Sequence, residues 1–179
     1  MKGWHWLNND GLLRDGTAPP PDGEWLVHDG NLFMCHKGLH YSKRVVNALQ
    51  YAPGNVLCRV ECRGEQEHQD DKSVCTQRRI LWRVTVPDEV LRRFARRCAL
   101  DVIHLWDAPD VVVSYLKTGD RALRDAAMAA ASAAASAAAS AAAGAAAARA
   151  AAWDAAYTRF NRRLTSMVMA EARRQGVQR

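Results

Sequence analysis

In the first two thirds of the chain, some segments alternate apolar and polar residues as strands do, and other segments repeat apolar residues every three or four positions as helices do. Residues 56–63 (VLCRVECR) alternate apolar and charged side chains, which is the pattern of a half-buried strand. The short apolar segments 1–7, 24–28 and 32–35 indicate further strands bounded by turns. A long strand is predicted over residues 73–86, with one apolar face formed by Val74, Ile80, Trp82, Val84 and Val86. Because these segments are short and joined by turns, we expect a small, mostly antiparallel sheet.

Two or three helices are predicted beside this sheet. The segment GLHYSKRVVNALQYAPG (residues 38–54) has an apolar helical face, with Ser42 as its N-cap and Pro53-Gly54 as its end. A second helix is predicted to begin at Pro87. A shorter helix is predicted to end before Gly119. Residues 1–119 are therefore predicted to form an α+β domain.

The second half of the chain is rich in alanine and predicts one long helix, from about Arg121 to Arg174. Only six of the 27 residues in 126–152 are not alanine, and alanine has the highest intrinsic helix propensity. Asp120 is the predicted cap of this helix. A glycine inside a helix costs only about 1 kcal/mol, so we expect the helix to continue through Gly144.

The predicted organisation therefore has three parts. They are an α+β domain at 1–119, a long helix for self-association or packing at 120–175, and a disordered tail at 176–179.

The last part of this helix carries a seam of large apolar side chains at spacings of four and three. The seam consists of Trp153, Tyr157, Phe160, Leu164 and Met167. One interpretation is that it packs on the protein's own N-terminal domain, and the other is that it pairs with a second chain. Small residues at every fourth position upstream favour close helix–helix approach. We therefore expect a homo-oligomer formed through this helix and a protein partner. The serines and the lack of a leucine or isoleucine run argue against a membrane span.

The net charge of +6 is concentrated in the C-terminal part of the chain. Residues 1–120 contain 16 Lys and Arg against 16 Asp and Glu, while residues 121–179 contain nine Arg against three acidic residues. Nucleic-acid binding through basic helical faces is therefore an alternative function, although the neutral N-terminal part argues against it. The faces in question are formed by Arg92, Arg93, Arg96, Arg97, Arg159, Arg162 and Arg163.

Five cysteines occur in the first hundred residues, and their number and sequence context indicate the cellular compartment of the protein. The number is odd and no secretory signal precedes them, so free thiols in a reducing cytoplasm are expected. No CxxC pair is present, and the sequence therefore predicts no metal site.

Several motifs of residues 1 to about 125 resemble an uncharacterised family of bacteriophage proteins. These motifs are MKGWHWL, GLHYSKRVVNALQYAPG, a DDK sequence and HLWDAP. Members of that family share a glycine–histidine motif, a helix ending in ALQYAPG and the DDK sequence, and many continue into alanine-rich tails. The resemblance implies a phage-encoded protein that acts in the host cytoplasm, but it implies no established activity.

The segment Gly38–Ser42 is also similar to the middle motif of ADP-ribosyltransferase-like folds, including RNA 2′-phosphotransferases. That similarity implies an NAD pocket contacted by His40, Ser42 and Tyr51, with the first motif near His5. The acidic third motif of such folds has no clear counterpart, since Glu61 and Glu65 lie in no recognisable signature. Each residue also has a structural interpretation: a hydrogen-bonded histidine, a helix cap and a packed tyrosine.

The leading functional hypothesis from the sequence is a non-enzymatic phage accessory protein that acts through protein–protein contacts. Inhibition of a host or defence protein fits this hypothesis. It needs no cofactor, and it follows from the uncovered alanine-rich helix and from the lack of a P-loop, GxSxG or HExxH sequence. The alternatives are the NAD-binding module or enzyme and the nucleic-acid-binding protein.

Overall fold

A computed structural model describes residues 1–139 and 146–177 of the chain, and it shows an α+β fold. The five strands of this part of the chain are β1 (Lys2–Leu7), β2 (Trp25–Val27), β3 (Leu39–Tyr41), β4 (Val56–His68) and β5 (Ser73–Thr85). The helices are α1 (Val45–Leu49), α2 (Asp88–Val102), α3 (Asp110–Thr118), α4 (Arg124–Ala139) and α5 (Ala146–Arg174). The predicted antiparallel sheet and long C-terminal helix are therefore confirmed.

All strand pairs in the sheet are antiparallel, and they are centred on the long hairpin of β4 and β5. β1 pairs with the first half of β4, while β2 and β3 pair with successive parts of β5. Immediately after β3, Ser42 exchanges two backbone hydrogen bonds with Trp4 of β1, with N···O distances of 2.8 and 2.9 Å. The strands β1, β4, β5 and β3 are thus linked in a closed hydrogen-bonded circuit.

A bulge in the hairpin reverses the faces of β5 and corrects one sequence prediction. Arg59 pairs with Trp82 but Val60 pairs with Ile80, so Leu81 is an extra residue in β5. One extra residue moves every later side chain to the opposite face. Ile80 accordingly lies in the core cluster with Val60, whereas Trp82 lies on the other face of the sheet. The prediction that Ile80, Trp82 and Val84 share one face is therefore wrong.

The first compact unit consists of Met1–Asp88 together with Asn161–Arg179, which differs from the predicted division after residue 119. The C-terminal segment is tied to the N-terminal one by side-chain hydrogen bonds. Val46 N–H donates to Asn161 Oδ1 at 3.3 Å, and Gln175 bonds to both backbone groups of Thr85 at 3.2 and 2.6 Å. The end of α5 is thus part of the α+β unit and not a separate arm.

The second compact unit is Glu89–Phe160, and it contains the predicted start of the alanine-rich region. Gly119 has a φ of 72° and closes α3 in a left-handed turn. Asp120 Oδ1 then accepts a hydrogen bond from Ala122 N–H at 3.0 Å, as predicted for a cap. The predicted continuity of the helix at Gly144 lies outside the described residues.

Three further local predictions differ from the structure. Ser42 is not the N-cap of α1, because Arg44 occupies that position and no side chain caps the helix. The strand predicted at 32–35 is replaced by a turn in which Phe33 and Lys37 form an isolated bridge. The disordered tail predicted from residue 176 does not begin there, since Gly176 and Val177 close α5 with backbone hydrogen bonds.

Candidate functional site

A cavity of about 510 Å³ opens in the first compact unit, and every residue that lines it lies between Trp4 and Arg78. This volume is within the range of small-molecule pockets, roughly 300–1,000 Å³. The walls come from β1, from the segment that contains β3, from single residues of α1 and β5, and from the turns around them. The strand circuit therefore encloses a site of the size that a drug-like or nucleotide-like molecule needs.

All four residues of the predicted NAD pocket line this one cavity: His5, His40, Ser42 and Tyr51. They are separated by up to 46 positions in the chain. The bridge between Trp4 and Ser42 brings the two histidine-bearing segments side by side. Glycine is needed at position 3 for this approach, because a Cβ there would overlap the Tyr41 ring and lie 2.9 Å from the Ser42 carbonyl oxygen.

His40 uses both ring nitrogens to hold the surrounding loop. Its Nε2 accepts a hydrogen bond from Cys35 N–H at 3.0 Å, and the ring also bonds to the Gly38 backbone. Nδ1 must therefore carry the proton that is donated to the Gly38 carbonyl. Burial and then the nearby Arg78 charge lower the pKa of His40, so its ring is neutral at pH 7. This is the hydrogen-bonded structural histidine of the alternative interpretation, and it lies in the cavity wall.

His5 differs from His40 because one of its nitrogens is left without a partner. Its ring bonds to the His40 backbone, but its buried Nε2 has no hydrogen-bond partner among the described residues. Burial, followed by the charge of Arg78, lowers the pKa of His5 well below its ordinary value of 6.5. The ring is therefore neutral, and Nε2 presents a lone pair that can accept a hydrogen bond. Buried polar atoms without a partner are rare and are often explained by a ligand or a water.

Arg78 is a cavity residue that the sequence analysis did not single out. Its side chain is 4% exposed and donates a hydrogen bond to the His40 carbonyl oxygen. In residues 1–139 and 146–177 no carboxylate forms an ion pair with it, and the ionisable groups that act on it are the thiols of Cys58, Cys62 and Cys75. Burial raises the pKa of Cys58 to about 12, so that thiol is neutral at pH 7. The buried guanidinium therefore has no carboxylate partner among the described residues, although a buried charge requires compensation.

The mouth of the cavity is organised around Tyr51. Its hydroxyl donates to Asp71 Oδ2, and this hydrogen bond is the main cause that raises the pKa of Tyr51. Lys72 Nζ lies 5.2 Å from the centre of the Tyr51 ring, and Arg14 donates to the Tyr51 carbonyl oxygen at 2.6 Å. Asp70, Asp71 and Lys72 lie at the turn between β4 and β5, which positions a lysine at the opening.

We call His5, His40, Ser42 and Arg78 the floor group, and Arg14, Cys35, Tyr51 and Lys72 the mouth group. The floor group is buried or half-buried, whereas the mouth group is exposed apart from Lys72, which is half-buried. Three of these eight residues carry a positive charge, and Asp15 is the one acidic residue that lines the cavity. The Asp15 carboxylate already accepts hydrogen bonds from Thr17 N–H and hydroxyl, at 3.0 and 2.7 Å. The cavity is thus electropositive.

Neither glutamate considered as the acidic third motif lines the cavity. Glu61 is paired with Arg79 at 2.6 Å, and Glu65 lies at a second bulge in β4. The arrangement can accordingly bind and neutralise an anion and accept a hydrogen bond. It does not place either of these glutamates where a transferase reaction needs a carboxylate.

The predicted seam of α5 divides into two parts. Leu164 is fully buried and Met167 is 7% exposed, within the segment that belongs to the first compact unit. Trp153 is instead 66% exposed, and its ring lies 5.8 Å from that of Tyr157. Leu164 and Met167 therefore pack within the chain's own first compact unit, as one of the two interpretations predicted. The first part of the seam, at Trp153, is exposed and could contact a second chain.

The basic face of α2 is partly occupied by ion pairs. Glu89 interacts with Arg92 at 3.6 Å and with Arg96 at 3.2 Å, and the hydrogen bond from Arg96 is the main cause that lowers the pKa of Glu89. The Arg96 side chain is only 12% exposed. These contacts reduce the charge that this face offers to phosphate groups, and nucleic-acid binding stays a prediction.

In the part of the chain that the structure describes, no group of three or more His, Cys, Asp and Glu side chains is close enough to hold a metal ion. The helices described here are also too short or too polar for any of them to span a membrane.

The match to a family model covers the same segment as the sheet and the cavity. A family described as "Domain of unknown function (DUF7666)" matches residues 2–92, which contain all five described strands and every cavity-lining residue. No curated protein and no solved structure matches the chain. The predicted resemblance to an uncharacterised family agrees with this result. Because residues 2–92 are just over half of the 179-residue chain, the protein belongs to the DUF7666 family.

Proposed function

We propose that the first compact unit is a binding module for a nucleotide of the NAD class. The observation that carries this proposal is the position of His5, His40, Ser42 and Tyr51 in the wall of one cavity of about 510 Å³. These are the residues that the similarity to ADP-ribosyltransferase-like folds selects, although they come from three separate segments. The free Nε2 of His5 supports the proposal because it can accept a hydrogen bond from a ligand hydroxyl or amide.

A binding role is favoured over catalysis by the surroundings of the two glutamates. Glu61 is occupied by Arg79, and Glu65 is not in the cavity wall. The enzymatic alternative predicts that free nicotinamide accumulates when the protein is incubated with NAD. Release that exceeds the rate without protein, measured by chromatography, would replace the binding module with an enzyme.

Thermal unfolding with and without NAD tests the binding proposal. A ligand that binds only the folded state stabilises it by RT ln(1 + [L]/Kd), which is about 2.7 kcal/mol at a hundredfold excess over Kd. We expect NAD to raise Tm in the full-length protein and Ser42→Ala to reduce that rise. Ser114→Ala is the matched control, because Ser114 is an exposed serine on α3 and does not line the cavity. An unchanged Tm at millimolar NAD would exclude the proposal.

A second candidate function is association through α5, as in the phage accessory role that the alanine-rich helix and its seam led us to expect. Its support is the exposed Trp153, whose ring stacks near Tyr157 and which is open to solvent over two thirds of its surface. Truncation after Gly119 is a poor test, since it also removes Asn161–Arg179 from the first compact unit.

Point substitutions avoid that problem. We expect the full chain to sediment as an oligomer, Trp153→Ser to lower its mass, and Trp106→Ser to leave the mass unchanged. Trp106 is the control because it is a tryptophan of the same unit with 38% exposure. A monomeric full-length protein at tens of micromolar would remove this candidate.

A further inference from the structure

The buried charge of Arg78 has no carboxylate partner in the described part of the chain, and its surroundings indicate the kind of anion that could compensate it. A guanidinium that is 4% exposed has lost most of its hydration, so it requires a compensating anion. The described carboxylates do not supply one, and the pKa values of Cys58 and Cys62 are raised, so both thiols are neutral at pH 7. The pKa of Cys75 is lowered, first by its hydrogen bond with Cys62 and to a smaller extent by Arg78. Arg78 lines the cavity, so an anion bound there can reach it.

Two further cations lie around the same space. Arg14 and Lys72 both line the cavity, and both approach Tyr51 at its mouth. No ion pair to Arg14 or Lys72 occurs in the described part of the chain. Burial first, then the charge of Arg78 and to a smaller extent those of Lys72 and Arg14, lower the pKa of His40 in the cavity wall.

Because both cavity histidines are neutral, they add no positive charge for binding an anion. His5 and His40 stay uncharged at pH 7, so the three fixed cations supply the positive charge. Asp15 is the one carboxylate in the lining, and it is engaged by Thr17. Arginine and lysine are the side chains that recognise phosphate oxygens, arginine by a planar fork and lysine as a point charge. An excess of two positive charges suits a phosphate or diphosphate better than a single carboxylate.

We propose that Arg14, Lys72 and Arg78 form an anion subsite that binds the phosphate groups of the ligand. This subsite deepens the proposed function, on which it rests for the identity of the whole ligand. The diphosphate lies between the floor and the mouth of the cavity, with Arg78 at its buried end and Lys72 and Arg14 at its exposed end. The rest of the ligand is left to contact His5, Ser42 and the aromatic walls.

The test is isothermal titration calorimetry on the full-length protein with inorganic pyrophosphate, ADP-ribose and adenosine as probes. We expect pyrophosphate and ADP-ribose to bind, and adenosine to bind at least tenfold more weakly than ADP-ribose. Binding of pyrophosphate should weaken as salt is raised, because the contacts are between charges. Equal affinity for adenosine and ADP-ribose would overturn the subsite.

Charge-removing substitutions assign the effect to the three residues. Lys72→Gln and Arg14→Gln are each expected to weaken pyrophosphate binding about tenfold, and Arg78→Met to abolish it. Arg93→Gln is the matched control, since Arg93 is an exposed arginine outside the cavity and should change the affinity less than twofold. If Arg78→Met does not fold, the two mouth substitutions decide the result. Unchanged affinity in both would refute the proposal.

The outcomes also separate this inference from the proposed function. If pyrophosphate binding depends on Lys72 and Arg14 but neither NAD nor ADP-ribose binds, the anion subsite is supported and the NAD-class ligand is excluded. If Ser42→Ala weakens NAD binding but the charge substitutions do not, the nucleotide-binding module is supported and the anion subsite is excluded.

Discussion

The floor and the mouth of the cavity both carry cations and hydrogen-bonding groups, but these groups are held in different ways. In the floor group, His40 bonds through both ring nitrogens and Arg78 bonds to the His40 carbonyl oxygen. In the mouth group, Arg14 and Lys72 approach Tyr51 from partly or fully exposed positions. We therefore expect the floor group to support both folding and ligand binding, and the mouth group to contribute to ligand binding alone.

The largest expected difference is between Arg78→Ala and Lys72→Ala. Truncating the buried Arg78 leaves a void and removes a charged hydrogen bond, so we expect the free energy of unfolding to fall by about 2–4 kcal/mol. Lys72→Ala should cost much less, because Lys72 loses only a cation–π contact with Tyr51 at the cavity mouth. Urea unfolding followed by tryptophan fluorescence measures both. Equal losses would remove the distinction between floor and mouth.

A smaller loss is expected when the junction of β1 and β3 is disturbed. In Gly3→Ala the new Cβ overlaps the Tyr41 ring, and overpacking of this kind costs about 1–3 kcal/mol. The change should also weaken ligand binding, since it moves His5 relative to Ser42. Lys2→Ala, an exposed neighbour on the same strand, serves as the control in the same urea experiment. Stability equal to that of the control would show that β1 and β3 can separate without consequence.

The pH dependence of stability distinguishes the floor histidines from exposed ones. The pKa of His5 is lowered in the folded state, so below about pH 6.5 the unfolded chain binds a proton that folded His5 does not. Its contribution is therefore complete above pH 6.5 and is lost as the pH falls further. We expect Tm to decrease from about pH 7.5 to about pH 5.5, and His5→Asn to reduce that slope. His104→Gln, which changes an exposed histidine, should keep the wild-type slope.

Modification of Cys35 is expected to have the smallest effect on stability, so Cys35 can serve as a chemical probe of the cavity mouth. Cys35 is exposed and lines the cavity, whereas Cys58, Cys62 and Cys75 are fully buried. In a Cys98→Ser background, iodoacetamide should modify Cys35 first, and pyrophosphate or NAD should slow that reaction. Mass spectrometry after timed quenching measures the rate. If neither compound changes the rate, the mouth is not covered by a bound ligand.

Several local elements could be predicted from the sequence because short-range patterns determine them. Alternation of apolar and charged residues in 56–63 predicted β4, and the Gly119-Asp120 pair predicted the end of α3 and the next helical start. His5, His40, Ser42 and Tyr51 were selected together from a resemblance, and they line one cavity. The N-cap at Ser42 was wrong because Ser42 instead pairs with Trp4 through its backbone.

Arg78 was missed although the sequence contains a signal for it. It stands two residues before Ile80, and no bulge lies between them, so both side chains point to the core face of β5. A charged residue in an apolar register is a sign of a buried functional group. No comparable signal marks Arg14 or Lys72, which lie in turns and meet only at Tyr51.

The sequence by itself determined the fold class, most strands and the alanine-rich helices, because helix propensity and hydrophobic periodicity act over a few neighbouring residues. Tertiary structure alone decided three other features. An extra residue at Leu81 exchanged the faces of β5, and the end of α5 joined the N-terminal unit through Asn161 and Gln175. The cavity formed where β1 and β3 meet. These features depend on strand register and on contacts between residues far apart in the chain, and no local pattern specifies either.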